Sequence, residues 1–280
     1  MNTKDVNRIL GIHPDLVDRE FPSDGRTFHL MNDPDWPFGD LPMDEAERRY
    51  GEGMELLSKG DIQNGRRLLE EAYKMGNREA GNSLALGLTH GWFGERDYEN
   101  ATKILRKLAR QGERNAMNNY AFAYMDGLGV KKSLHWAEFW FLKAIDRGNL
   151  CAAATYGQLV IENVYPKQSK NLGLWLLFWA ADNGVATAMN DIGLCYEEGT
   201  GMRVDYNKAF EWFKKAVDYG GGACAEFNLS RCYRYGLGVE IDYELADAWK
   251  SLAIEHGFDI YAYNNAYNCD WNPLEEDNDF

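Results

Sequence analysis

Apolar and polar positions along the chain recur with a long period. Six glycines, Gly76, Gly112, Gly148, Gly184, Gly220 and Gly257, are separated by four gaps of 36 residues and one of 37. Fifteen residues before each stands an Asp or a Ser: Asp61, Asp97, Ser133, Ser169, Asp205 and Asp242. Between these marks a small residue recurs at Gly65, Ala101, Ala137, Gly173, Ala209 and Ala246. Three residues on come Leu68, Ile104, Trp140, Leu176, Trp212 and Trp249, and four further on Ala72, Leu108, Ala144, Ala180, Ala216 and Ala253. Offsets of three and seven place these columns on one helical face, which predicts a buried stripe with the tryptophans in the core. Asp and Ser accept the orphan amide hydrogens of a first helical turn. Glycine takes the left-handed conformation past the last turn without a Cβ clash. Each Asp/Ser-to-Gly segment therefore predicts one capped helix, here called helix B.

Before each helix B lies a second amphipathic stretch, helix A, opened by Ala80, Ala116, Ala152, Ala188 and Ala225. Three A helices end in a Gly-x-Gly turn, at Gly127/Gly129, Gly199/Gly201 and Gly236/Gly238. A phosphate-binding glycine loop follows a strand, whereas these follow a helix and keep the period, so they read as connectors. The repeat over 151–186 has Asn163 and Tyr165 in place of the glycines, which marks that loop as a candidate special contact. Extending the register past Gly257 predicts one more A helix over 259–272, carrying Ala262 and Cys269. Cys195, Cys232 and Cys269 then share one column, where a small apolar residue suits the packing.

Composition narrows the function. The 280 residues carry a net charge of −14 and are 45% hydrophobic. The acidity sits at the ends: residues 1–44 hold four Lys/Arg against nine Asp/Glu, and 255–280 hold none against seven. Such charge repels phosphate backbones, so no nucleic-acid partner is expected. The start lacks the apolar stretch of a secretory signal, and the longest apolar run, Leu172 to Ala181, is about half a membrane span. A cytoplasmic protein without membrane contact is the expectation. Five cysteines without a CxxC pair argue against a disulfide framework and a thiolate metal site. His13, His29, His90, His135 and His256 are scattered, and no catalytic motif, P-loop or dinucleotide fingerprint occurs. The reading is a non-enzyme with no cofactor, no metal and no catalytic residue.

The run Ala188–Gly201 with Asp205, Ala209, Trp212, Phe213, Lys215, Ala216 and Gly220 resembles the Sel-1-like repeat. Residues Ala225 to Gly257 match through Leu229, Tyr233, Gly236, Leu237, Gly238, Val239, Asp242, Ala246 and Trp249. Residues 115–150 are close, 79–114 less so, and 45–78 lacks the glycine turn and is more similar to a tetratricopeptide helix pair. The resemblance implies an all-α fold, a right-handed superhelical α-solenoid of antiparallel helix pairs in the tetratricopeptide-like superfamily. The predicted organisation is an acidic Pro-rich N-terminal segment over 1–44 that caps the array, with Trp36 and Phe38 as alternative partner anchors. Six helix-pair repeats follow (45–78, 79–114, 115–150, 151–186, 187–222, 223–258), then the capping helix 259–272 and an acidic tail 273–280.

The resemblance also implies use as an adaptor or scaffold, with the A helices lining a concave groove that holds a protein partner. Side chains read as facing that groove are Asn82, His90, Asn118, Phe122, Met125, Asp126, Gln158, Glu162, Asn190, Glu197, Glu198, Phe227, Arg231, Arg234, Tyr235 and Trp271, with Leu86, Thr89, Ala154 and Ile161 beside them. Acids at 162, 197 and 198 precede a basic and aromatic patch at 227–235, a mixture suited to protein interfaces. A neighbouring polar column, Ser83, Asn119, Thr155, Asp191 and Asn228, reads as bonding between repeats. The narrower expectation is a bacterial immunity protein that occludes a toxin. The alternative is an adaptor or scaffold in a regulatory or assembly complex, with self-association through exposed end repeats as one form of it, although a monomer is favoured.

Overall fold

A computed structural model describes residues 43–259. The Pro-rich segment with Trp36 and Phe38, the expected capping helix with Cys269 and Trp271, and the acidic tail lie outside the described residues. Among the described residues the structure is α-helical and has no strand. The helices are α1 (Met43–Ser58), α2 (Ile62–Lys74), α3 (Arg78–His90), α4 (Tyr98–Arg110), α5 (Arg114–Asp126), α6 (Leu134–Asp146), α7 (Leu150–Ile161), α8 (Lys170–Asp182), α9 (Ala186–Glu198), α10 (Tyr206–Asp218), α11 (Gly222–Tyr235) and α12 (Tyr243–Glu255). Odd numbers are the A helices and even numbers the B helices. The chain divides into two compact units, Met1–Ala153 and Ala154–Phe280. In the first, α1 packs on α2, α3 on α4 and α5 on α6, and α2 also meets α3 and α4 meets α5. In the second, α9 packs on α10 and α11 on α12, with α8 on α9 and α10 on α11 between them. This is the all-α, α-solenoid class of helix-pair repeats.

Local chemistry sets the helix limits. The side chains of Asp61, Asp97, Ser133, Asp205 and Asp242 each accept the amide hydrogen three residues on, at 2.9–3.3 Å. Ser169 accepts that of Asn171 at 3.2 Å. The six stop glycines all have positive φ, from +76° to +100°. A Cβ there costs about 1 kcal/mol of backbone strain. The A helices are capped differently in the two units. Asn77, Glu113 and Asn149 accept the amides of Ala80, Ala116 and Ala152, whereas the residues before α9 and α11, Val185 and Gly221, give no side-chain cap.

The small-residue columns of helix B are buried throughout, and the alanines that open the A helices are fully buried. The bulky column is shifted from the expectation. Trp140 and Leu176 are buried, but Trp212 and Trp249 are only half-buried. The continuous core column lies one residue later, at Leu69, Leu105, Phe141, Leu177 and Phe213. The buried stripe runs at offsets of four, then three, so the tryptophan column falls on its outer edge. Gly193 shows what this core demands, since a Cβ on it would lie 2.5 Å from the Phe213 ring.

The Gly-x-Gly turns combine two needs. Gly127, Gly199 and Gly236 end their helices in the left-handed conformation. Gly129 lies so near α4 that a Cβ would be 2.1 Å from the Tyr98 carbonyl oxygen. In the aberrant loop Asn163 takes φ +63°, the one positive-φ residue other than glycine among the described residues. Asn tolerates that conformation better than other side chains. Tyr165 turns inward and packs on Tyr156 with ring centroids 5.2 Å apart. That loop is a structural substitute for the glycine turn.

Candidate functional site

The A helices carry the side chains assigned to partner contact. In the first unit, α3 and α5 are tied by a bond from Asn119 Nδ2 to Asn82 Oδ1 of 2.9 Å. Asn118 Nδ2 reaches Asn119 Oδ1 at 3.4 Å. Above this bond the helices part and leave a cavity of about 320 Å³. Leu86, Thr89 and His90 from α3 line it, with Asn119, Phe122, Ala123 and Asp126 from α5. Tyr98, Thr102 and Leu105 of α4 and Leu128 of the following turn complete the wall. Phe122 stands edge-on to the buried Phe141, with centroids 5.3 Å apart, which fixes the cavity side. His90 is exposed and stacks on Trp92, itself 48% exposed, at 5.6 Å. Met125 is half-buried.

In the second unit the corresponding positions are closed. Arg231 of α11 donates through Nη1 to Glu197 Oε2 of α9 at 3.3 Å and through Nη2 to Oε1, and also reaches Asn228 Oδ1 at 3.1 Å. Asn228 Nδ2 in turn donates to Asn190 Oδ1 at 2.8 Å. Arg234 lies 3.6 Å from Asp247 of α12. The basic patch expected at 231 and 234 is therefore engaged in ion pairs with the protein's own acids. Four other groove residues are corrected. Phe227 is buried and stacks on Phe258 at 4.1 Å, because it lies on the face of α11 turned toward the end of α12. Asn190 is also buried, where its amide bonds to Asn228 instead of facing solvent. Ala154 and Ile161 are buried as well. Tyr235 is 56% exposed, and Trp271 lies outside the described residues.

Acids remain on this unit without ion pairs among the described residues. Glu162 accepts only the Gln158 amide at 2.9 Å, and Glu198 only the Thr200 hydroxyl at 3.3 Å. Asp191 is half-buried between them in sequence, and burial pushes its carboxyl up to about 6 against the opposing Asn190 hydrogen bond, with Glu162 adding to the rise. Gln158 Oε1 is buried with no hydrogen-bond donor among the described residues. Sequence reasoning missed the pair of buried Glu226 with His256 Nδ1, at 2.8 Å. Its one signal was that Glu226 directly follows a core alanine. Burial pushes the thiols of Cys195 and Cys232 up to about 12, which suits packing. Among the described residues no group of His, Cys, Asp and Glu could hold a metal ion, and no helix is long and apolar enough to cross a membrane.

The Sel1 repeat family model matches residues 45–77, 83–113, 114–149, 186–219 and 225–258, more than half of the chain. The chain belongs to the Sel1 repeat family. The match over 45–77 makes the first helix pair a Sel1 repeat, in place of the tetratricopeptide pair expected there. No match covers residues 150–185, where Asn163 and Tyr165 replace the turn glycines. A Sel1 repeat protein from Oxalobacter formigenes is 26% identical with a TM-score of 0.64, the match covering 81% of this chain and 66% of that one. A protective antigen of uropathogenic Escherichia coli with the same repeat fold is 26% identical with a TM-score of 0.62, covering 80% and 48%. The chain thus spans about two thirds and about half of these two proteins. An immunity protein of Pseudomonas aeruginosa shares the fold at 24% identity and a TM-score of 0.58, covering 78% and 84%. No curated protein sequence matches the chain. Sel1 repeats mediate protein–protein interaction, and the family is generally non-enzymatic.

Proposed function

We propose that this Sel1 repeat protein binds a protein partner through its A helices and that the second unit receives a basic segment of that partner. The observation that carries the reading is the set Glu162, just past the end of α7, with Asp191 and Glu198 of α9, three carboxylates without an ion pair among the described residues. A desolvated carboxylate gains most from an incoming Lys or Arg, which restores the lost interaction with water. The neighbouring pair Glu197–Arg231 keeps its own charges satisfied and serves as scaffold. The narrower reading is an immunity protein that occludes a toxin. An acidic receptor suits the basic surface of a nucleic-acid-cutting toxin, and the same fold occurs in an immunity protein.

Affinity capture from native lysate, with the bound protein identified by mass spectrometry, tests the reading. Glu162→Lys with Glu198→Lys should weaken the captured complex at least tenfold, and rising salt should weaken the wild-type complex steeply. Capture unchanged by the double reversal would place the contact elsewhere. Growth protection on co-expression with the captured protein would support the immunity reading. A second reading, a self-associating adaptor, rests on the exposed Ile241, Tyr243 and Leu245 at the start of α12. A monomer in light scattering would end it.

A further inference from the structure

The crevice between α3 and α5 stands at the same two repeat positions as the Glu197–Arg231 pair, yet it is open. Counted from the alanine that opens each A helix, Thr89 corresponds to Glu197 and Phe122 to Arg231. Where the second unit has an ion pair across the gap, the first has a cavity of about 320 Å³. That is at the lower end of the ~300–1,000 Å³ of ligand pockets, so it holds a side chain and not a folded element. Leu86, Leu105, Phe122 and Leu128 give it an apolar wall.

The polar groups of the wall are already engaged. Thr89 Oγ1 donates to the Ala85 carbonyl at 2.8 Å, and Thr102 Oγ1 to that of Tyr98 at 2.9 Å. Asn119 is bonded to Asn82, and the Tyr98 hydroxyl accepts from Arg96 at 3.1 Å. Such groups ask nothing of a ligand and are unharmed by an apolar one. At the rim stand the His90 ring and Asp126, an exposed carboxylate without an ion pair among the described residues.

We propose that this crevice is an anchor pocket for one large apolar side chain of the partner protein, aromatic or leucine-sized, whose sequence neighbour is a Lys or Arg set against Asp126. The proposal rests on the reading that the A helices bind protein, and it adds the specificity of the first unit. Pockets of this kind hold the anchor residues that dominate interface energies.

The test uses the full chain and three probes, the N-acetyl amides of the dipeptides Trp-Lys, Ala-Lys and Trp-Glu, followed by amide NMR shifts. Trp-Lys should move the signals of Leu86, Thr89, Ala123 and Leu128. Ala-Lys should bind there at least tenfold more weakly, and Trp-Glu about threefold more weakly. Installing the closure of the second unit, Thr89→Glu with Phe122→Arg, should weaken Trp-Lys at least tenfold while circular dichroism shows an unchanged helical fold. Should that variant fail to fold, Asp126→Lys at the exposed rim should invert the preference toward Trp-Glu. Equal binding of Trp-Lys and Ala-Lys, or Trp-Lys shifts confined to other residues, overturns the pocket. Shifts from Trp-Lys only near Glu162, Asp191 and Glu198 would overturn the pocket and leave the acidic receptor standing. Trp-Lys in the crevice with partner capture indifferent to Glu162→Lys and Glu198→Lys would support the pocket and remove the acidic receptor.

Discussion

Thr89 and Phe122 in the first unit occupy the same repeat positions as Glu197 and Arg231 in the second, and the outcomes are opposite. The first pair leaves an apolar crevice, and the second draws α9 and α11 together through a bidentate ion pair that also engages Asn228 and, through it, Asn190. Beneath both, the frame is the same: a capped B helix, small residues at the close contacts, and a large apolar side chain against a small one. Phe213 against Gly193 shows this in the second unit. The frame needs only those positions. The inner face is left to vary, and that is where two copies of one repeat acquire different binding chemistry.

The largest expected effect breaks the floor of the open crossing. Phe141 is fully buried and supports Phe122, so Phe141→Ala should cost about 3–5 kcal/mol in urea unfolding. It should also abolish Trp-Lys binding, because the wall loses its backing. Next comes the closed crossing. Arg231→Ala leaves Glu197, whose side chain is 13% exposed, and Asn228 without their donor, and should cost about 1–3 kcal/mol. Sodium chloride should barely reduce that cost, since a half-buried pair is poorly screened.

The smallest effect has the opposite sign. The Asp191 carboxyl sits near 6 in the folded protein, above its ordinary value, so the charged form is the unfavourable one. The destabilisation is complete above that value and is relieved as pH falls from about 6 toward the ordinary carboxylate range. Asp191→Asn should therefore stabilise by about 1–2 kcal/mol at pH 7.5, with the gain shrinking toward pH 5. A pH series of urea midpoints measures it. A constant gain across the series would show that the carboxylate is not desolvated. The same variant should weaken partner capture, which separates its binding role from its stability cost.

The starts and stops of the helices were legible because a cap is a conversation between one side chain and an amide two or three residues away. Asp97 with Asn100 and the glycine at 112 are examples. The family followed from the same linked positions. The buried column was legible only to within one residue, since an offset of three or four from a small residue is an equally good helical reading and packing chose the latter. The anchor residues of the inner face were partly legible: His90, Phe122 and Asp126 do share one cavity, while Phe227 and Asn190 turned out to be buried.

By itself the sequence determined the period, the helix limits, the small-residue columns and hence the all-α repeat class, all of which rest on spacing within one turn or one helix. Tertiary structure alone decided that Arg231 reaches Glu197, that Phe227 lies under Phe258 and that the space beside Phe122 stays open. Those outcomes depend on helix rotation and on side-chain reach between residues roughly one repeat apart. Small differences in helix rotation and side-chain reach decide them, and no residue type encodes such differences locally.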